Sequence, residues 1–306
     1  MKNVFLQLAD EGRNQWWAYL IGILLILMIW FILGGLFTLV PLLWVQMDQD
    51  PATFFNMQTK HFEGVNPLFP FVSLNISFIM LFLAIWITVR FINKRPLKSL
   101  ITPLPRVDWK RIFHGFLLFL IFGATASLVE FVFYPSIYTV SLTHPGRYLL
   151  FVLAALLLTP FQSTAEELLF RGYLMQALGR ITGKFLFPAI GSAVLFMLPH
   201  LVNPEMTNNA LVMSLNYFVI GLFFALITLE DGRLELAIGM HAANNLYAGL
   251  VVNYSGSALQ TESLFLVKEL NPLFSLVSIV IASCLIFILL FHRKIFVTRK
   301  TNYRNH

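Results

Sequence analysis

Three short stretches of an otherwise apolar chain carry the side chains of hydrolytic chemistry. STAEELLFRGYLMQALG, Ser163 to Gly179, sets Glu166 beside Glu167 and places Arg171 four residues further on. FMLPH ends on His200, four residues after Phe196, and HAANN puts His241 and Asn245 four apart. Residues four apart share a helical face. Hydrolysis of a peptide bond needs a base, an activated water and donors aimed at the developing negative charge, and this set holds all three types. Glu167 and Arg171 suit a positioning pair, while Glu166 points about 100° away on the same helix.

Each stretch also has a plainer reading. Ser163 with Glu166, or Thr164 with Glu167, has the spacing of a capping box, and Pro160 suits a break before a new helix. Glu167 and Arg171 would then be a surface pair of a few tenths of a kcal/mol. His200 beside Pro199 reads as an interfacial residue. His241 resists such a reading, because it falls about seven residues into an apolar helix, where an ionisable side chain is costly.

The elements that must position these residues are membrane helices. The chain has 306 residues, 58% hydrophobic and 12% charged, with a mean hydropathy of +0.76. Long continuous apolar runs predict an all-α, polytopic membrane helix bundle, and their lack of alternation excludes a β-barrel. About eight transmembrane helices are expected: Trp17 to Val45, Phe71 to Ile92, Ile112 to Tyr134, Tyr148 to about Phe161, Phe185 to Leu198, Ala210 to Leu229, Leu234 to Val252 and Leu273 to Phe291. The first follows Arg13 too closely, and runs too long, for a cleaved signal peptide. No internal repeat or soluble insertion is visible, so residues 1–306 read as one integral membrane domain. The single cysteine, Cys284, sits in the last apolar run and reads as a small buried hydrophobe.

The net charge of +6 is a topology signal rather than a nucleic-acid footprint. Lys94, Arg95, Lys98, Arg106, Lys110 and Arg111 crowd the second connection, and Arg293, Lys294, Arg299, Lys300 and Arg304 crowd the C-terminal tail. Both regions belong in the cytoplasm. Both termini are therefore expected there, in the plasma membrane if the source is a prokaryote, with lipid as the surrounding partner. Trp16, Trp17, Trp44, Trp109, Tyr134, Tyr138 and Tyr148 fall near span ends, where amphipathic rings anchor.

Hairpin arithmetic lets the patches meet. If the helix carrying Glu166 runs on to Gly179 and turns through RITGK, Glu166 and His200 both lie about 20 Å from that turn, and His241 lies about 10 to 15 Å from the next. The three fit one cavity in the cytoplasmic half of the bilayer. Glu130, Asn75, Asn216, His114 and His292 read as structural or interfacial, the two asparagines as hydrogen-bonding between helices.

At these residues the chain resembles the CPBP family, which comprises the type II CAAX prenyl endopeptidases and the bacterial Abi and bacteriocin-immunity-type membrane proteins. Glu166, Glu167 and Arg171 match its first motif, Phe196 and His200 its second, His241 and Asn245 its third, in order and on successive helices. The likeness covers residues 148–252, the expected catalytic core. It implies an intramembrane endopeptidase in which Glu166 draws a proton from water, His200 holds and polarises that water, and His241 with Asn245 stabilises the oxyanion. No cofactor is required on that reading. The alternative is a zinc ion held by Glu166, His200 and His241 with one open position, against which stand the lack of an HExxH pair and the amide of Asn245, which suits an oxyanion better than a cation. The implied substrate is a membrane-associated or lipidated peptide or protein, a CAAX terminus if the host prenylates proteins. This chain itself ends NYRNH and is not a CAAX protein. A competing expectation is a non-catalytic membrane protein, such as a bacteriocin-immunity factor, transporter or scaffold, with a structural polar network.

Overall fold

The computed structural model describes residues 3–142, 144–182 and 184–302, with residues 293–302 given by backbone alone. Of the basic tail, Arg293, Lys294, Arg299 and Lys300 therefore have no described side chains, and Arg304 lies outside the described residues.

The expected helical bundle is present. Its helices are α1 Trp16–Asp48, α2 Leu68–Ile92, α3 Trp109–Phe133, α4 Pro145–Ile181, α5 Leu186–His200, α6 Met206–Asp231, α7 Glu235–Leu250 and α8 Pro272–His292. Six of them are long and apolar enough to cross a membrane. In hydrocarbon a backbone must satisfy its own hydrogen bonds, and continuous helices do this within one segment. The other two helices expected to span, α5 and α7, have only 15 and 16 residues, about 22 and 24 Å at 1.5 Å per residue. A hydrocarbon core is roughly 30 Å thick, so neither crosses it fully.

Hydropathy alone ends α4 near Phe161, but the continuation that the motif depths required is present: a helix of 37 residues reaches Ile181, carrying Pro160 inside it. The capping boxes do not form, because the Ser163 hydroxyl turns back to donate to the Thr159 carbonyl at 2.9 Å. From Leu168 to Leu174 the helix widens into a π-helical turn whose residues 168–173 are all buried. Such turns recur at functional sites.

The helices alternate in direction and give the bundle two unlike ends. At the basic end, the N-terminal segment and the connection between α2 and α3 form a packed cap. Arg95 Nη1 donates to the Leu8 carbonyl at 3.0 Å and to Gln176 Oε1 at 2.7 Å. Tyr173 donates to Asn93 at 3.1 Å, and Gln176 to the Ser99 carbonyl at 2.9 Å. Arg180 pairs with Asp10, and Arg111 with Asp231. Short strands in the connections mark the opposite end. β1 Phe54–Asn56 and β2 His61–Glu63 form a hairpin. β3 Tyr138–Val140 pairs antiparallel with β5 Phe265–Val267, which pairs parallel with β4 Val252–Tyr254. No strand was expected in these connections.

Two glycines set the depth of α7. A Cβ on Gly239 would meet the Ile112 carbonyl at 1.9 Å, and one on Gly115 would meet the Leu236 carbonyl at 2.3 Å. Only missing side chains let α3 and α7 approach so closely, as small residues allow in membrane packing. Trp16, Trp44, Trp109 and Tyr134 are exposed at helix ends, as anchors should be. Asn216 bonds the Pro272 carbonyl on α8, as expected, whereas Asn75 donates to the Phe71 carbonyl of its own helix.

Candidate active site

The three motifs converge. Glu167 is fully buried, and its Oε1 accepts from Arg171 Nη1 at 2.6 Å and from His241 Nδ1 at 2.7 Å. The expected i,i+4 pair exists, but as a dry one: both side chains have 0% exposure, so the surface reading fails. Arg171 also donates to the Gly221 carbonyl at 3.2 Å. Its guanidinium lies 4.3 Å from the Phe196 ring centre and 5.5 Å from that of Phe224, a desolvated cation–π setting. Phe196 of the second motif is thus a wall for the charge of the first.

His241 spans both glutamates. With Nδ1 donated to Glu167, its Nε2 faces Glu166 Oε2 at 3.3 Å. The Phe196 ring meets it edge-on at 5.9 Å and the Phe224 ring lies tilted against it at 5.6 Å, so the imidazole is held by two rings and at one nitrogen. One turn on, Asn245 accepts at Oδ1 from Asn244 Nδ2 at 3.0 Å. That leaves the Asn245 amide N–H groups as donors.

His200 closes α5. Its Nδ1 donates to the Phe196 carbonyl at 2.7 Å, which in the neutral tautomer makes Nε2 an acceptor. Tyr217 of α6 stacks on the ring at 4.1 Å and donates its hydroxyl to Glu205. Glu205, 1% exposed, also accepts from Asn203 and from the Ala258 amide.

A cavity of about 580 Å³ joins these groups, lined by Gln162, Glu166, His200, His241 and Asn245 among others. Glu167 and Arg171 stand behind it. The sequence thus found every motif residue that meets here and missed the support of His200. Glu205 and Tyr217 carry no motif spacing, and the only available signal was an acidic residue in LVNPEMTNN between two apolar runs. His241 lies six residues, about 9 Å, above the basic end of α7, against an expected 10 to 15 Å from the turn before it. The cavity's loop-level lining, however, includes Lys60, Asn203, Glu205 and Ser257, from the strand-bearing end.

Comparison with known proteins agrees with this geometry. A model of the family described as type II CAAX prenyl endopeptidase Rce1-like matches residues 145–247, from the start of α4 into α7. The chain is 33% identical over 267 residues to the uncharacterized protein YyaK of Bacillus subtilis (strain 168), covering 86% of this chain and 87% of that protein. No solved structure matches it. A multi-helix membrane bundle with a buried glutamate–histidine centre defines the class, and the chain belongs to the Rce1-like family of type II CAAX prenyl endopeptidases. It is an integral membrane protein of a peptidase family.

Proposed function

We propose that the chain is an intramembrane endopeptidase that hydrolyses a peptide bond in a membrane-associated peptide or protein with water activated by Glu166. The carrying observation is the division of labour between the paired carboxylates: Glu167 is locked by Arg171 and His241, while Glu166 lines the cavity with His200 and Asn245. Glu166 takes a proton from water, and the resulting hydroxide attacks the scissile carbonyl. His200 Nε2 accepts from the same water and orients it. The Asn245 amide, with His241 Nε2 when it carries a proton, donates to the oxyanion. Glu166 then returns its proton to the leaving amine. Preorganised donors in a water-poor site supply the largest share of such catalysis, about 10² to 10³ in rate for one oxyanion donor.

The reaction is read as metal-independent. Both ring nitrogens of His241 face carboxylates, and the Asn245 amide offers hydrogen-bond donors that suit an oxyanion better than a cation. A prenylated CAAX terminus is one substrate of the proposed kind. Membrane peptides compared between cells carrying the wild type and Glu166→Gln test the reading. The expected outcome is a set of cleavage products missing from the variant at equal expression, and full function in both Glu166→Gln and His241→Ala would overturn it. Purified enzyme should keep its activity in a strong chelator, whereas a loss restored by zinc would overturn the metal-independent assignment.

A further inference from the structure

The turn of α4 that precedes Glu166 is polar and dry. Thr159, Gln162 and Ser163 are all buried there, where the fourth apolar run ends. Polar side chains inside a membrane helix are costly and mark either an internal bond or a function. Ser163 takes the first course, through the Thr159 carbonyl of its own helix. Gln162 takes the second.

Gln162 lines the cavity with Glu166 and lies four residues before it, on the same helical face. Its side chain is hydrogen-bonded to the Glu166 carboxylate. An ionised carboxylate offers only acceptors, so the Gln162 amide is the donor. Side chains on a helix lean towards its N-terminus, and this carries the Glu166 carboxylate over the turn that holds Gln162. Gln162 belongs to none of the three motifs, the first of which begins at Glu166.

The facing helix gives that lean its meaning. α4 and α7 run in opposite senses and meet where Glu166 Oε2 stands 3.3 Å from His241 Nε2. One turn from this contact, about 6 Å along each axis, Gln162 stands on α4 and Asn245 on α7, both in the cavity lining and both towards the strand-bearing end. The bond from Gln162 thus holds the base towards the level of Asn245. Without it, His241 draws the carboxylate back towards the layer of Glu167 and Arg171.

We propose that Gln162 is a positioning residue of the hydrolytic centre: its amide holds the Glu166 carboxylate level with Asn245, so that the water taken up by the base lies next to the donor that receives the oxyanion. This role rests on the endopeptidase reading, and Gln162 acts on the rate through Glu166 alone.

Gln162→Met tests it, because methionine keeps the length and nearly the volume of the side chain and removes the amide. A fluorogenic peptide is built on a cleavage site that wild-type cells process and Glu166→Gln cells do not, and purified wild type, Gln162→Met, Glu166→Gln and the double variant are assayed on it. Gln162→Met should lower kcat by about 10- to 100-fold, the worth of a hydrogen bond to a charged group read as a rate, with KM and Tm nearly kept. Added to Glu166→Gln, it should cost nothing further, since the base it positions is gone. Wild-type kcat in Gln162→Met, or a further loss of the same size on top of Glu166→Gln, overturns the role. The cycle decides even if methionine lowers Tm, because loss of folded protein adds to Glu166→Gln and loss of positioning does not. If no cleavage site separates wild-type from Glu166→Gln cells, the endopeptidase reading fails and takes the role with it; if such a site exists and Gln162→Met cuts it as wild type does, only the role of Gln162 falls.

Discussion

Glu166 and Glu167 leave the same helix about 100° apart and enter two unlike regions of the bundle. Glu167 is fully buried in a layer where Arg171 and His241 bond its carboxylate and the Phe196 and Phe224 rings flank the Arg171 guanidinium. Glu166 faces the cavity of about 580 Å³ and keeps some exposure, 11% for its side chain. The difference teaches how a membrane protein makes a carboxylate useful. A charge in low dielectric needs a partner, so one glutamate is consumed in holding the histidine, which leaves the other free of structural duty.

Substitutions that treat the neighbours differently can break this comparison. Glu166→Gln should lower kcat by about 10² to 10⁴, the usual range for a general base, with little change in the thermal unfolding of the detergent-solubilised protein. Glu167→Gln should do the reverse first: it leaves Arg171 buried without its counter-charge, which costs about 3–5 kcal/mol and should show as a large drop in Tm. Equal loss of stability in both variants would erase the distinction. Asn245→Ala should reduce kcat by about 10² to 10³ with KM nearly kept, the signature of a donor used in the transition state. The smallest effect is expected at the supporting shell. Tyr217→Phe keeps the ring stacked on His200 and removes the hydroxyl from Glu205, at a net cost of about 1 kcal/mol in stability and a small fall in kcat.

The legible part of the molecule is the part governed by local rules. Apolar runs announced the helices, and i,i+4 spacing announced that Glu167 meets Arg171. The continuation of α4 past Phe161 was reached only by setting Glu166 against His200 and His241, because Pro160 and Ser163 look like a helix start when read alone. The π-helical turn at Leu168–Leu174 escaped, since wide turns have no composition of their own. Glu205 and Tyr217 escaped because their partnership joins a loop to a helix across a fold not yet known. The reach of the cavity to the strand-bearing connections escaped for a related reason: its lining there joins Lys60, Asn203 and Ser257, from connections far apart in sequence.

The shortness of α5 reaches beyond the protein. α5 presents Leu186, Phe187, Ile190, Val194 and Leu198 outward and is followed, just past His200, by Val202, 71% exposed. Lipid tails packed along an apolar surface about 22 Å long must shorten or tilt against it, at fractions of a kcal/mol per Å of mismatch. Mismatch of this kind thins a bilayer beside a short helix, so the protein's activity is expected to be higher when it is reconstituted in bilayers of shorter acyl chains.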